Sequence, residues 1–267
     1  MKKLFTDLRG KTVLITGASS GLGQEIAYEA SKKGARVILC ARREDDLINT
    51  LATCESYSKQ KGAYYPLDIS DYDKVEEVSE KILTEFREID VLVNCAGFGM
   101  FQLFLDSSFE ETEKMFSVNV LGLIYLTQKI GLQMAKQQRG HIVNIASQAG
   151  KMATPKSSIY AATKFAVIGF SNALRLEMKP LGVSVTTVNP GPIKTPFFDI
   201  ADPSGSYVES IGSLAIEPQK LAKKIVKSFG TYKREINSPM LMEVANKGYQ
   251  LFPHLGDYLA TNVFDKK

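Results

Sequence analysis

Tyr160 and Lys164 stand four positions apart in Tyr160-Ala161-Ala162-Thr163-Lys164. On a helix, side chains at i and i+4 share a face, so both can point at one site. An ammonium beside a phenol favours the phenolate and draws its pKa from about 10 toward neutrality. A tyrosine tuned in this way exchanges a proton with a carbonyl or an alcohol. Ser147 ends the strand-like run before them, at the carboxyl edge where α/β sheets gather ligands. Its hydroxyl can hold the reacting oxygen. Read alone, a Tyr–Lys pair at this spacing is more often a plain surface pair; its weight comes from a second motif far upstream.

That motif is Thr16-Gly17-Ala18-Ser19-Ser20-Gly21-Leu22-Gly23, which follows the first strand-like run and opens the first helix-like one. Its glycines allow a tight turn and close backbone approach to a ligand. The helix N-terminus adds free N–H groups and a positive dipole end suited to pyrophosphate. The spacing is Gly-x-x-x-Gly-x-Gly rather than the Gly-x-Gly-x-x-Gly of many dehydrogenases. The next strand-like run, Arg36–Cys40, ends in Ala41-Arg42-Arg43. In NAD enzymes of related architecture an acidic residue at this strand end bonds the ribose hydroxyls. Ala41 supplies no carboxylate there, and the Arg42 guanidinium can grip a 2′-phosphate through paired charge-assisted hydrogen bonds. Arg43 either assists it or opens the next helix in solvent. The expected cofactor is NADP(H) in preference to NAD(H).

The elements that must position these residues alternate along the chain. Strands are expected at Lys11–Thr16, Arg36–Cys40, Ala63–Leu67, Asp90–Asn94, His141–Ala146, Val183–Asn189 and Lys233–Ile236. Helices are expected at Leu22–Lys33, Glu44–Gln60, Tyr72–Arg87, within Phe109–Ala135, at Ser157–Lys179 and at Pro218–Phe229. This β-α alternation predicts a Rossmann-like, doubly wound parallel sheet with helices on both faces. No linker, repeat or low-complexity tract marks a second domain, so residues 1–267 are expected to form one domain. Thr195–Glu217 is the one long irregular stretch and the candidate substrate-covering segment.

Composition narrows the partners. A net charge of +4 over 267 residues, with Lys and Arg scattered, carries no nucleic-acid signal. Cys40, Cys54 and Cys95 have no metal-ligand spacing, so no metal is expected. An odd cysteine count and a charged N-terminus fit a reducing cytoplasm. No uninterrupted apolar run is long enough to span a bilayer, so no transmembrane segment is expected.

These motifs, taken in order, resemble the short-chain dehydrogenase/reductase family in its non-extended, single-domain form. The resemblance covers residues from Leu8 to about Phe229, with a family core to about 236 and an apolar extension over 237–267. Thr16–Gly23 resembles the family's cofactor turn. Asn94-Cys95-Ala96-Gly97 resembles its Asn-Asn-Ala-Gly motif, with Cys95 in place of the second Asn. Asn119, in Ser117-Val118-Asn119-Val120, matches the helix asparagine of its catalytic tetrad, and Ser147, Tyr160 and Lys164 match the other three members. Pro190-Gly191-Pro192-Ile193-Lys194-Thr195 resembles the segment at the nicotinamide end.

The resemblance implies a role for each. Tyr160 is the acid/base, Ser147 positions and polarises the substrate oxygen, and Lys164 tunes Tyr160 and bonds the nicotinamide ribose. Asn119 holds a water that links Lys164 to solvent. The cofactor groove is then expected to be lined by Gly17, Ser19, Ser20, Gly21, Leu22, Gly23, Arg42, Asp68, Ile69, Asn94, Ala96, Gly97, Pro190, Gly191, Ile193 and Thr195, together with Tyr160 and Lys164. The substrate class is a ketone or aldehyde, or the matching secondary alcohol. Ketoacyl thioesters and steroid-like ketones are both within it. The competing reading is an NADP-binding regulatory or redox-sensing protein without turnover, which has no need of the Asn-Ser-Tyr-Lys set. Family members usually pair through two long helices, so a homodimer or homotetramer is expected. Phe101, Phe104, Phe197, Phe198 and Tyr207 are candidate pocket walls. The tail's apolar set, Tyr249, Leu251, Phe252, Leu255, Tyr258, Leu259 and Phe264, reads as a docked helix or, less simply, as a subunit or membrane-surface contact.

Overall fold

The computed structural model of the chain describes residues 4–202 and 215–262. Tyr207 and Phe264 lie outside the described residues. Seven strands form one sheet: β1 (Thr12–Thr16), β2 (Arg36–Ala41), β3 (Ala63–Pro66), β4 (Val91–Asn94), β5 (Gly140–Ile145), β6 (Val183–Pro190) and β7 (Glu235–Ser238). Every pairing is parallel, in the order β3-β2-β1-β4-β5-β6-β7. The chain winds outward from β1 to β3, then crosses back to β4 and winds the other way. The reversal beside β1 is the switch point at which such sheets open a crevice at their carboxyl ends.

The strands are nearly continuous apolar runs because both faces are covered. Alternation within β1 sorts side chains between two cores. Val13 and Ile15 pack with Ile26 of α1 (Gly21–Lys32), Leu47 of α2 (Glu44–Ser58) and Ile225 of a later helix (Pro218–Lys227). Leu14 faces the other way, onto Val75 and Ile82 of α3 (Tyr72–Phe86) and Leu126 and Ile130 of α5 (Leu123–Lys136). A capping box between Ser108 and Glu111 opens α4 (Phe109–Phe116). The following long helix, α6 (Ser158–Met178), packs Val167 against Val120 and Leu123.

The structure bears on three expectations, refining the first, correcting the second and qualifying the third. First, the helix from Phe109 to Lys136 is not uniform: Ser117–Gly122 is a π-helical segment between α4 and α5. A π-bulge adds a residue to one turn and leaves no periodicity signal, so it was not legible. Second, the last strand runs Glu235–Ser238 rather than Lys233–Ile236. Asn237 and Ser238 look like turn residues, but they pair with Asn189 and Pro190. Third, the Phe109–Lys136 helix is long and apolar enough to cross a bilayer by length and composition, although Lys129 interrupts the run. Half of its most apolar stretch is buried inside the fold, as in the core helices of globular proteins.

Thr195–Glu217 holds a short helix, α7 (Phe197–Ala201), and returns to form a bridge between Ile193 and Ile216. Next come α8 (Pro218–Lys227), β7 and two tail helices, α9 (Met240–Leu251) and α10 (Pro253–Asn262). Where one docked helix was the simpler expectation, the tail forms two, and Met240, Leu241, Val244, Leu251, Phe252, Leu255 and Tyr258 remain exposed.

Candidate active site

A cavity of about 340 Å³ opens along the carboxyl ends of the strands. Its near end is the β1–α1 turn. Gly17 has φ +66°, and a Cβ there would lie 2.9 Å from the Ala96 backbone. A Cβ on Gly23 would lie 2.2 Å from the Gly17 carbonyl oxygen. Only glycine permits the turn to fold this tightly against the β4 loop. Thr16, which sequence reasoning passed over, locks that contact: its Oγ1 accepts from the N–H groups of Cys95 and Ala96, each at 3.1 Å.

Ser20 caps α1 with extended backbone and no side-chain cap bond, and the first helical bond runs from the Gln24 N–H to the Ser20 carbonyl. The first-turn N–H groups therefore have no partner within the helix, an arrangement that favours an anion. The guanidinium of Arg43 donates to Ser20 Oγ at 2.8 Å and Ser19 Oγ at 3.2 Å. Arg42 and Arg43 both line the cavity beside Ala41, which brings no carboxylate of its own, and Arg43 Nε also donates to Asp46 Oδ2 at 2.5 Å. Asp68, farther along, is raised by burial. The hydroxyl and N–H of Ser70 and the charges of Arg42 and Lys114 outweigh this, leaving its carboxyl below the usual range. A phosphorylated dinucleotide fits this donor set.

The far end holds Ser147, Tyr160 and Lys164. Ser147 follows β5, and its Oγ accepts from the Ala149 N–H at 3.1 Å, which fixes the hydroxyl at the start of a short 3-10 turn. Tyr160 and Lys164 lie one turn apart on α6, with Lys164 Nζ 5.7 Å from the centroid of the Tyr160 ring. That ammonium donates to the Ile145 carbonyl at 3.1 Å. Burial pulls its pKa down to about 8. The Tyr160 ring packs against Phe101 and Phe197, each at 5.8 Å between centroids. Gly99 makes room for it, since a Cβ there would sit 2.9 Å from the Tyr160 ring and 2.9 Å from the Phe197 ring.

Asn119 sits in the π-helical segment and is buried. Its Nδ2 donates to the Phe98 carbonyl at 2.8 Å and to Thr163 Oγ1 at 3.1 Å, and its Oδ1 accepts from the Phe98 N–H at 3.0 Å. Both amide hydrogens are thus spent on the protein, and one acceptor lone pair remains. The side chain clamps the β4 loop beside Lys164. A Cβ on Gly97 would lie 3.0 Å from Asn119 Oδ1 and 3.6 Å from Lys164 Nζ.

Gly17, Ser19, Ser20, Gly21, Leu22, Gly23, Arg42, Asp68, Ile69, Ala96, Gly97, Pro190, Gly191, Ile193 and Thr195 all line the one cavity with Ser147, Tyr160 and Lys164. Asn94 does not. It is buried, with Nδ2 donating to Thr127 Oγ1 and Asn144 Oδ1, each at 2.8 Å, so it ties β4 to β5 and α5 beneath the groove. Phe101, Phe197 and Phe198 line the cavity, whereas Phe104 is exposed. Arg43, read in the sequence as either an aid to Arg42 or the opening of the next helix, lines it as well, and so do Phe98, Met152, Ile200 and Met242, which the sequence did not single out. Arg43 was the only one with a visible signal, its place beside Arg42. Among the described residues no cluster of potential metal ligands occurs. Burial pushes the Cys40 thiol up to about 12 and the Cys54 thiol up to about 11, so neither is a ready nucleophile.

Residues 11–203 match the family model for short chain dehydrogenases. The chain is 35% identical over 227 residues to the 3-ketodihydrosphingosine reductase of Bos taurus, covering 82% of this chain and 68% of that protein. It is 32% identical over 222 residues to an uncharacterised oxidoreductase of Staphylococcus haemolyticus, covering 83% and 92%. Among solved structures, an alcohol dehydrogenase from the archaeon Thermococcus sibiricus in complex with 5-hydroxy-NADP superposes with a TM-score of 0.76 at 26% identity, covering 85% of this chain and 95% of that one. The parallel sheet, its switch-point groove and relatives that match along most of their length agree: this chain belongs to the short-chain dehydrogenase/reductase family of oxidoreductases.

Proposed function

We propose that the protein is an NADP(H)-dependent oxidoreductase, a single domain over residues 1–267, that interconverts a ketone or aldehyde and its alcohol with Tyr160 as acid/base. The observation that carries this reading is one continuous cavity. It has phosphate-binding chemistry at one end and Ser147, Tyr160 and Lys164 at the other. Arg42, Arg43, Ser20 and the α1 N-terminus would hold the phosphates. Lys164, Ile193 and Thr195 would hold the nicotinamide end. The dinucleotide, when bound, supplies or accepts the hydride.

The chain supplies the proton and the alignment. In reduction the Tyr160 hydroxyl donates its proton to the substrate oxygen; in oxidation the phenolate takes it back. The Ser147 hydroxyl donates a hydrogen bond to the same oxygen. The Lys164 ammonium, anchored on the Ile145 carbonyl, favours the phenolate through its charge. Phe101, Phe197 and Phe198 exclude water from the reacting oxygen. The reductase relative from Bos taurus has a ketone in its printed substrate name, which supports a carbonyl substrate, and the Phe101, Phe197 and Phe198 lining favours an apolar substituent on it.

The wider reading is a cytoplasmic homodimer or homotetramer acting on a small molecule. Exposed Leu132 on α5 and Phe165 and Leu176 on α6 support pairing through those helices. Light scattering at micromolar protein tests the assembly, and a 29.5 kDa species alone would contradict it. The function is tested by a panel of ketones and aldehydes with NADPH, read by cofactor absorbance. Turnover of at least one apolar ketone is the expected result. NADPH binding without turnover of any carbonyl or alcohol would favour the regulatory reading.

A further inference from the structure

The family model's match ends at residue 203, before α9 begins. Yet one side of α9 packs against β7 and the turn that follows Ser147. Met242, Glu243, Asn246 and Tyr249 are its less exposed positions and fall at helical spacing, while Met240, Leu241 and Val244 point outward. Met242 lines the cavity. A Cβ on Gly191 would lie 2.5 Å from Met242 Sδ, so the missing side chain at 191 is what lets the thioether reach the nicotinamide end of the groove.

A second inward residue, Glu243, enters an ion cluster. Lys151 Nζ donates to Glu243 Oε2 at 2.9 Å, to Glu235 Oε2 at 2.6 Å and to Asn237 Oδ1 at 3.2 Å. The side chains of Lys151 and Glu243 are only 10% and 13% exposed. Burial alone would raise the Glu235 carboxyl; the Lys151 hydrogen bond and charge reverse this and hold it below its usual range. Asn189 Nδ2 extends the network by donating to Asn237 Oδ1 at 2.8 Å. Lys151 itself closes the 3-10 turn that begins at Ser147. One ammonium therefore joins the turn that orients Ser147, the edge strand β7 and the tail helix α9. The outward apolar face of α9 contributes little burial, so this cluster and the Met242 contact fix where the helix sits.

We propose that α9 is a wall of the substrate cavity, that Met242 sets how large a substituent the carbonyl substrate can carry, and that Lys151 is a positioning residue that latches the wall. The proposal rests on reading the cavity as a carbonyl-reduction site. Methionine is unbranched and adaptable, so it limits length without demanding one shape. A methylene more or less against an apolar wall changes relative efficiency by roughly 10-fold or more.

The experiment compares the full chain with Met242→Ala and Met242→Trp across a series of methyl n-alkyl ketones, using NADPH. The ratio of kcat/KM for the longest and shortest ketones should rise at least ~10-fold in the Ala variant and fall in the Trp variant. Identical chain-length profiles in all three proteins would overturn the specificity role. For the latch, Lys151→Met should raise the ketone KM at least ~5-fold while the NADPH KM changes less than ~2-fold, and Lys151→Arg should restore most of the loss. Independently of turnover, Lys151→Met should speed amide exchange both in 240–251 and in 148–152. Unchanged exchange in α9 would overturn the latch. If the parent chain reduces no ketone at all, the functional reading fails, and the exchange result alone then decides whether α9 is held as stated.

Discussion

Strand β6, which pairs with β7, and helix α9, which packs on β7, obey different rules. All eight residues of β6, Val183–Pro190, are buried. Of the twelve in α9, only Asn246 is. The strand is fixed by parallel partners on both edges and by helices on both faces. The helix is fixed by one thioether, one ion cluster and the turn into α10. The cofactor end of the groove is built on elements of the first kind, whose position follows from apolar burial. The substrate end borrows a wall of the second kind, whose position follows from a few polar contacts. Rigid placement serves the part of the reaction that never varies, and weakly held elements suit the part that selects a substrate.

The sharpest way to break this contrast is to make one kind of change in both regions. Ile15→Ala, in the buried β1, should cost about 2–5 kcal/mol in denaturant unfolding, whereas Leu241→Ala, on the exposed face of α9, should stay within about 0.5 kcal/mol. Comparable costs would mean that α9 is packed as firmly as the sheet, and the distinction would fail.

The next effect lies inside the cofactor half. Lys164 has a folded-state pKa near 8, below its ordinary value of 10.5, because burial disfavours the charge. Below pH 8 both folded and unfolded chains carry the proton, and the fold bears the full cost. Between about 8 and 10.5 the unfolded chain binds more protons, so stability rises with pH and the cost disappears. Lys164→Met should therefore abolish turnover and yet stabilise the cofactor-free protein at pH 7, by at most about 3 kcal/mol. That gain should shrink steadily as the pH passes through this window. A stability difference independent of pH would contradict the buried-ammonium account.

A smaller effect concerns cofactor choice. Efficiency with NADPH should exceed that with NADH by at least ~10-fold, roughly 1.4 kcal/mol. Ala41→Asp combined with Arg42→Ala should erode or reverse it, because a carboxylate would then face the 2′-phosphate that Arg42 no longer holds. Arg43→Ala should weaken NADPH more than NADH as well, since Arg43 bridges to Ser19 and Ser20. Equal use of both cofactors by the parent protein would remove the 2′-phosphate assignment.

The same contrast explains what could be read from the sequence. The six strands from β1 to β6 were legible to within a residue or two, five of them because nearly continuous burial demands β-branched and apolar runs, and the edge strand β3, mostly part-exposed, from its place in the β-α alternation. The glycine turn was legible because Gly17 and Gly23 meet backbone that no other residue clears. Ser147, Tyr160 and Lys164 were legible because strand end and helix spacing bring them to one edge. The remainder depends on contacts between residues distant in sequence. Asn94 reads as a groove residue until its bonds to Thr127 and Asn144 turn it into a brace. The π-helical segment around Asn119 leaves no periodic trace. Met242 and Lys151, 91 positions apart, carry no mutual signal until the fold brings α9 against the Ser147 turn.

The central claim, that this cavity performs proton transfer through Tyr160, is tested most directly by Tyr160→Phe. The ring and its packing against Phe101 and Phe197 remain, and only the hydroxyl is removed. NADPH affinity, measured by fluorescence titration, is expected to stay within about 3-fold of the parent, while kcat on a ketone the parent reduces falls by roughly 10²–10⁴-fold. A Phe variant that keeps most of its turnover would contradict the assignment of Tyr160 as the acid/base.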